Sequence, residues 1–137
     1  MSLTASATSI PGALRQEVLV DGRHRLITDE PESVGGEGSA PAPHELLPAA
    51  MAACVSTTLV MYARTKGWEL GEVTVDVDYD PASVRFAADI RLAGDLTDVQ
   101  LERLERVAAT CPVGRALAAG AELEERLLLR TPAAEAA

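Results

Sequence analysis

The chain is poor in the residues that build the commonest ligand and scaffold sites. It has two histidines and two cysteines in 137 residues, with no Cys-x-x-Cys and no His-x-x-x-His. That excludes a ready-made zinc set, and a metal site would need carboxylates to complete whatever His24 or His44 supplies. Basic residues are outnumbered, 12 Lys and Arg against 21 Asp and Glu, and a net charge of −9 repels phosphate backbones and anionic lipid at long range. Nucleic acid is therefore not an expected partner. Met1 to Ile10 lacks the positive start and apolar run of a secretory signal, and no stretch reads as the ~20 apolar residues of a spanning helix. The expectation is a cytoplasmic protein with no membrane partner, where a permanent structural disulfide is disfavoured. Gly35-Gly36-Glu37-Gly38 lacks both the Lys-Ser/Thr of a phosphate loop and Gly-x-Gly-x-x-Gly spacing, and it reads as a flexible loop. It lies in the longest connection of the chain, Pro31 to Pro43.

What is present is ordinary globular material. A composition 47% hydrophobic and 24% charged, at this length, suits one domain with one core spanning 1–137. Alternation over Leu14 to Val20, the turn signal Asp21-Gly22 and a second run from Arg23 to Thr28 predict a hairpin. Pro43 to Lys66 predicts a helix with Gly67 as its C-cap, and Pro48 asks for a bend or a delayed start near Glu45. Because Leu46 to Val55 is apolar on nearly every face, this helix should be buried all round, in a core or between subunits. Val73 to Tyr79 and Val84 to Leu92 alternate cleanly around Asp80-Pro81-Ala82-Ser83 and predict an antiparallel pair. Thr97 and Gln100 form a capping box, and Leu101, Leu104, Val107, Ala108 and Cys111 recur at helical spacing, which points Cys111 inward. Pro112 interrupts that helix, a short piece continues to Ala119, and Gly120 precedes an expected last strand, Ala121 to Arg130, and a loose tail. The order of elements predicts an α+β fold, two main helices on an antiparallel sheet.

Cys54 and Cys111 carry the chemistry of interest. A thiolate attacks peroxides and disulfides directly, and a second thiol captures the oxidised sulfur before it goes further. The competing reading is that both are small core hydrophobes. Trp68 and Tyr62 read as packing residues, and His44 as a surface histidine.

The ordered motifs Asp29-Glu30-Pro31, Gly35-Gly36, Pro41-x-Pro43-x-Glu45-Leu46-Leu47, Ala52-Ala53-Cys54, Met61-Tyr62-Ala63, Lys66-Gly67-Trp68, Gly94-Asp95-Leu96 and Cys111-Pro112-Val113 resemble the OsmC/Ohr family. The resemblance spans about Leu14 to Arg130. It implies an intertwined homodimer with central helices buried at the interface and active sites built there. It also implies thiol-dependent reduction of organic hydroperoxides, and of hydrogen peroxide, with Cys54 as the peroxidatic and Cys111 as the resolving cysteine. An external dithiol, whether a lipoyl group or another thiol, would restore them, and no bound cofactor is implied. The family's Ohr branch pairs a hairpin arginine with a glutamate ten residues before the reactive cysteine. Arg15 is the residue closest to that arginine, with Arg23 and Arg25 as other candidates. Ten before Cys54 is His44, whereas Glu45 is nine before it, and one residue turns a helical side chain by about 100°. The alternative class is a dimeric binding module for a small apolar or thiol-bearing ligand, without efficient turnover.

Overall fold

The computed structural model describes residues 2–129. Its elements are β1 (Ala5–Ser9), β2 (Gln16–Val20), β3 (His24–Thr28), α1 (Leu46–Lys66), β4 (Val73–Asp80), β5 (Arg85–Leu92), α2 (Asp98–Ala108) and α3 (Pro112–Ala119). The α+β class is as expected, but the strands form two antiparallel sheets, β1-β2-β3 and β4-β5, and there are three helices.

The predicted hairpin is β2–β3, in register from Gln16↔Thr28 to Val20↔His24. Asp21 and Gly22 turn it with positive φ, 54° and 66°, the backbone that matches strand twist in a tight hairpin. β1 is an addition: Ala5 to Ser9 pairs with β2 along its whole length although all five residues are exposed.

A 3-10 turn, Pro43–Glu45, leads into α1, so the helix starts late and Pro48 falls in its first turn, where a missing N–H leaves no bond unmade. Gly67 closes it at φ 72°, its N–H donating to the carbonyls of Ala63 and Arg64. One stripe of α1, Val55, Leu59 and Ala63, is buried against Leu70, Leu104 and Cys111. Burial all round is not met within one protomer, because Ala49, Ala53, Thr57 and Met61, spaced four apart, face outward. The 24 residues Pro43–Lys66 are long and apolar enough to cross a membrane by length and composition, which corrects the expectation that no stretch is. Its alanines, serine and threonines dilute the hydrophobic run that the eye picks out of a sequence, without adding charge.

β4–β5 lies on α1 with Val73, Val75, Val77 and Tyr79 facing inward opposite Leu92, Ile90, Ala88 and Phe86. Thr97 caps α2 as predicted: its Oγ1 accepts the Gln100 N–H at 3.1 Å while its own N–H donates to Gln100 Oε1 at 2.9 Å. The helix stops at Ala108, and Leu101 is exposed while Leu104 is buried.

Two further expectations fail. Residues 121–129 form no strand among the described residues, and Leu123, Leu127, Leu128 and Leu129 stand exposed. Apolar residues supply a strand's side chains but not its partner, and no strand edge of the protomer pairs with this segment. Arg130 and the tail expected from Thr131 to Ala137 lie outside the described residues. The glycine-rich stretch is also not a free loop. Asp29, 1% exposed, accepts from the N–H groups of Glu30, Glu37 and Ser39 and from the Ser39 hydroxyl at 2.7–3.2 Å. Gly36 and Gly38 donate their N–H groups to Pro31 and Glu30 carbonyls, and a Cβ on Gly36 would sit 1.9 Å from the Glu30 oxygen.

Candidate functional site

The fold brings together the two cysteines that 57 residues separate in sequence. Cys54 lies mid-helix on α1, half-buried and packed against the cluster that contains Cys111, which is 1% exposed. Cys111 is not on α2. It is the N-cap of α3, extended at φ −60° and ψ 136°, and its Sγ accepts the Gly114 N–H at 3.2 Å. Burial pushes the Cys111 thiol above its ordinary pKa; the Gly114 amide pulls the other way and the adjacent Cys54 thiol adds to the rise. Cys111 therefore holds its proton at neutral pH. A Cβ on Gly114 would meet the Cys111 Sγ at 3.0 Å, so glycine there lets the amide reach the sulfur.

Beside the pair is a cleft of ≈ 350 Å³ lined by Met51, Val84, Arg85, Phe86, Gly114, Leu117 and Ala118. Met51 is one turn before Cys54 on the same helix face, and Gly114 is the residue that bonds the Cys111 sulfur. The lining is apolar except for Arg85. Val84 enters it from the β4–β5 turn at φ 53°, a left-handed backbone that a β-branched residue rarely accepts.

The other predicted site residues lie apart from the thiols. Glu45 is committed to the start of α1, where its Oε1 accepts the Ala42 N–H at 2.8 Å, the role a helix-start acid performs. Arg15 pairs with Glu37, Nη1 to Oε2 at 3.4 Å, and it rides on a sheet that makes no extensive contact with the helices of its own protomer. His44 is exposed and its Nε2 lies 3.2 Å from the Tyr79 hydroxyl, while Tyr79 stacks on Phe86 at 4.1 Å. Tyr62 and Trp68 pack edge to face at 5.7 Å against the core. Among the described residues, no three His, Cys, Asp or Glu side chains converge as metal ligands.

Sequence reasoning passed over Asp29, Glu37 and Gly114. The signal for the first two was an acid eight to ten residues before Glu37-Gly-Ser39, a spacing that lets a carboxylate collect loop amides; Gly114 had none, since Cys-Pro-Val-Gly announces only a helix start.

An apolar central helix beside a two-stranded sheet, with one thiol buried at a helix cap and another half-buried on the central helix, defines an α+β thiol protein. The sequence matches the family model described as OsmC-like protein over residues 36–126, and the chain belongs to that family. No curated protein matches it. Among solved structures it is similar to a Psychrobacter arcticus protein provisionally described as an osmotic stress induced and detoxification response protein, with TM-score 0.70, 26% identity, 85% of this chain and 88% of that one. It is also similar to the organic hydroperoxide resistance protein OsmC of Legionella pneumophila, with TM-score 0.58, 26% identity and coverage of 85% and 89%. A Vibrio cholerae protein provisionally described as an organic hydroperoxide resistance protein, with captopril bound in one of its active sites, matches with TM-score 0.59, 26% identity and coverage of 85% and 84%.

Proposed function

We propose that this protein is a thiol peroxidase that reduces organic hydroperoxides, and hydrogen peroxide, in defence against oxidative stress. The observation that carries the reading is the meeting of a half-open Cys54 with a buried Cys111 beside an apolar cleft. The Cys54 thiolate attacks the terminal peroxide oxygen, the O–O bond breaks and the alkoxide leaves as alcohol after protonation, leaving sulfenic acid on Cys54. Cys111 then attacks that sulfur, and its retained proton goes to the departing hydroxide as water. A dithiol or lipoyl-type reductant reopens the disulfide, entering at Cys54 because Cys111 is almost wholly covered.

The functional unit in this reading is a homodimer in the cytoplasm. Support comes from the outward apolar stripe of α1 and from the N-terminal sheet that lacks a core of its own. In such an assembly Arg15 serves the partner's site.

Peptide mapping and intact mass after one equivalent of cumene hydroperoxide test the reading. The expected result is loss of two hydrogens through a Cys54 to Cys111 link, with sulfenic acid trapped only in Cys111→Ser. Slow, unlinked oxidation of both thiols sinks it and favours the second reading, a binding protein for small thiol-bearing ligands, for which the captopril held by the Vibrio cholerae relative is the specific support.

A further inference from the structure

The loop that reads as flexible in sequence is anchored by the Asp29 carboxylate, and it bears the only cation–carboxylate contact that Arg15 makes among the described residues. We propose that Glu37 positions Arg15 in this protein, in the role that the family resemblance suggested for Glu45, and that Asp29 fixes Glu37 by gripping the loop that bears it. The inference rests on the peroxidase reading, in which Arg15 assists a Cys54 thiolate.

Three observations converge on this assignment. Glu45 has another partner: its carboxylate closes the turn before α1 through the Ala42 N–H. Glu37 does reach Arg15, but the pair is solvent-exposed, with side chains 35% and 67% accessible, and an ion pair of that kind holds little by itself. What places Glu37 is its backbone. Asp29 Oδ2 takes the Glu37 N–H at 3.2 Å and the Ser39 N–H at 3.0 Å, straddling the residue between them. The Asp29 carboxyl is pulled down to about 2, chiefly by the Ser39 hydroxyl, so it is an anion across the physiological range. Gly35, at φ 101°, and Gly36, pressed on the Glu30 carbonyl, give the chain the turn that delivers Glu37 toward Arg15. Leu14, next to Arg15, approaches within 3.7 Å of a Cβ built on Gly35, so the loop and the start of β2 lie side by side.

Glu37 and Asp29 are positioning residues, and their test reads the state of Cys54. In a Cys111→Ser background, the pH dependence of Cys54 alkylation by iodoacetamide and the stopped-flow rate of sulfenic acid formation are measured for Arg15→Ala, Glu37→Gln, Glu37→Asp, Asp29→Asn and Glu45→Gln. The expected result is that Arg15→Ala and Glu37→Gln each slow sulfenic acid formation about ten- to a hundredfold. The double variant is no slower than Arg15→Ala alone, and both shift the alkylation profile to higher pH. Glu37→Asp restores most of the rate, and Asp29→Asn follows Glu37→Gln with an unchanged far-UV spectrum. A larger effect at Glu45→Gln than at Glu37→Gln overturns the proposal, as do multiplicative effects of Arg15 and Glu37. If Arg15→Ala changes neither readout, the proposal falls while the peroxidase reading stands or falls separately on Cys54→Ser.

Discussion

The two sheets of this protein have the same strand grammar and opposite situations. β4–β5 alternates in and out along both strands and lays its apolar face on α1, so its pattern is answered inside the protomer. β1–β2–β3 is equally well paired, yet β1 is exposed throughout and no helix covers the sheet. Hydrogen bonding alone makes a ladder; burial of one face makes it stable. The difference teaches that pairing and burial are separable: the N-terminal sheet, with Arg15 just ahead of β2, is held by its ladder with no covering helix among the described residues.

The sharpest test of this contrast is complementation in mixed dimers. Arg15→Ala, slowed about ten- to a hundredfold, and Cys54→Ser, inactive, are expected to recover about a quarter of wild-type peroxidase activity when co-refolded in equal amounts, since in the proposed dimer half the assemblies then hold one complete site. No recovery would mean that the N-terminal sheet serves its own protomer. Next in size is a packing contrast: Leu59→Ala, at a position with no exposure, should cost about 2–5 kcal/mol in chemical unfolding. Leu26→Ala, half-buried on the N-terminal sheet, should cost less than half as much, and equal losses would show that this sheet has a core after all. Capping separates the halves on a smaller scale, with Thr97→Ala losing about 1 kcal/mol from α2.

Acid acts on the loop that Asp29 grips. Because the Asp29 carboxyl falls from an ordinary 3.8 to about 2 on folding, its contribution is complete above 3.8 and is lost as pH drops toward 2. Wild type should therefore lose stability over that window, and Asp29→Asn, already weaker at neutral pH, should show a flatter acid limb in pH-dependent unfolding.

Local rules made much of this fold readable. The β2–β3 and β4–β5 hairpins, the late start of α1 and the Thr97 cap depend on neighbours within a few residues, and the sequence carries those directly. β1 was invisible because Ala-Ser-Ala-Thr-Ser offers no apolar alternation; its pairing is decided by β2. The expected strand from Ala121 failed for the converse reason, with suitable side chains and no edge to join. At the site, the two cysteines were legible as residue types, but their meeting depends on how α3 turns back at Cys111 onto α1. The partners of Arg15 and Glu45 were not legible, since a carboxylate's choice between a backbone amide and a guanidinium is settled by a few ångströms of loop path.

In the proposed reaction Cys111 would double as a gauge of its own oxidation. Its sulfur closes the first turn of α3 by accepting the Gly114 amide at 3.2 Å, a weak bond sensitive to what else the sulfur is joined to. A Cys54 to Cys111 link, as proposed, would change the surroundings of that one amide proton, and the resonance of Gly114 would register the redox state of the site without any reagent or substrate.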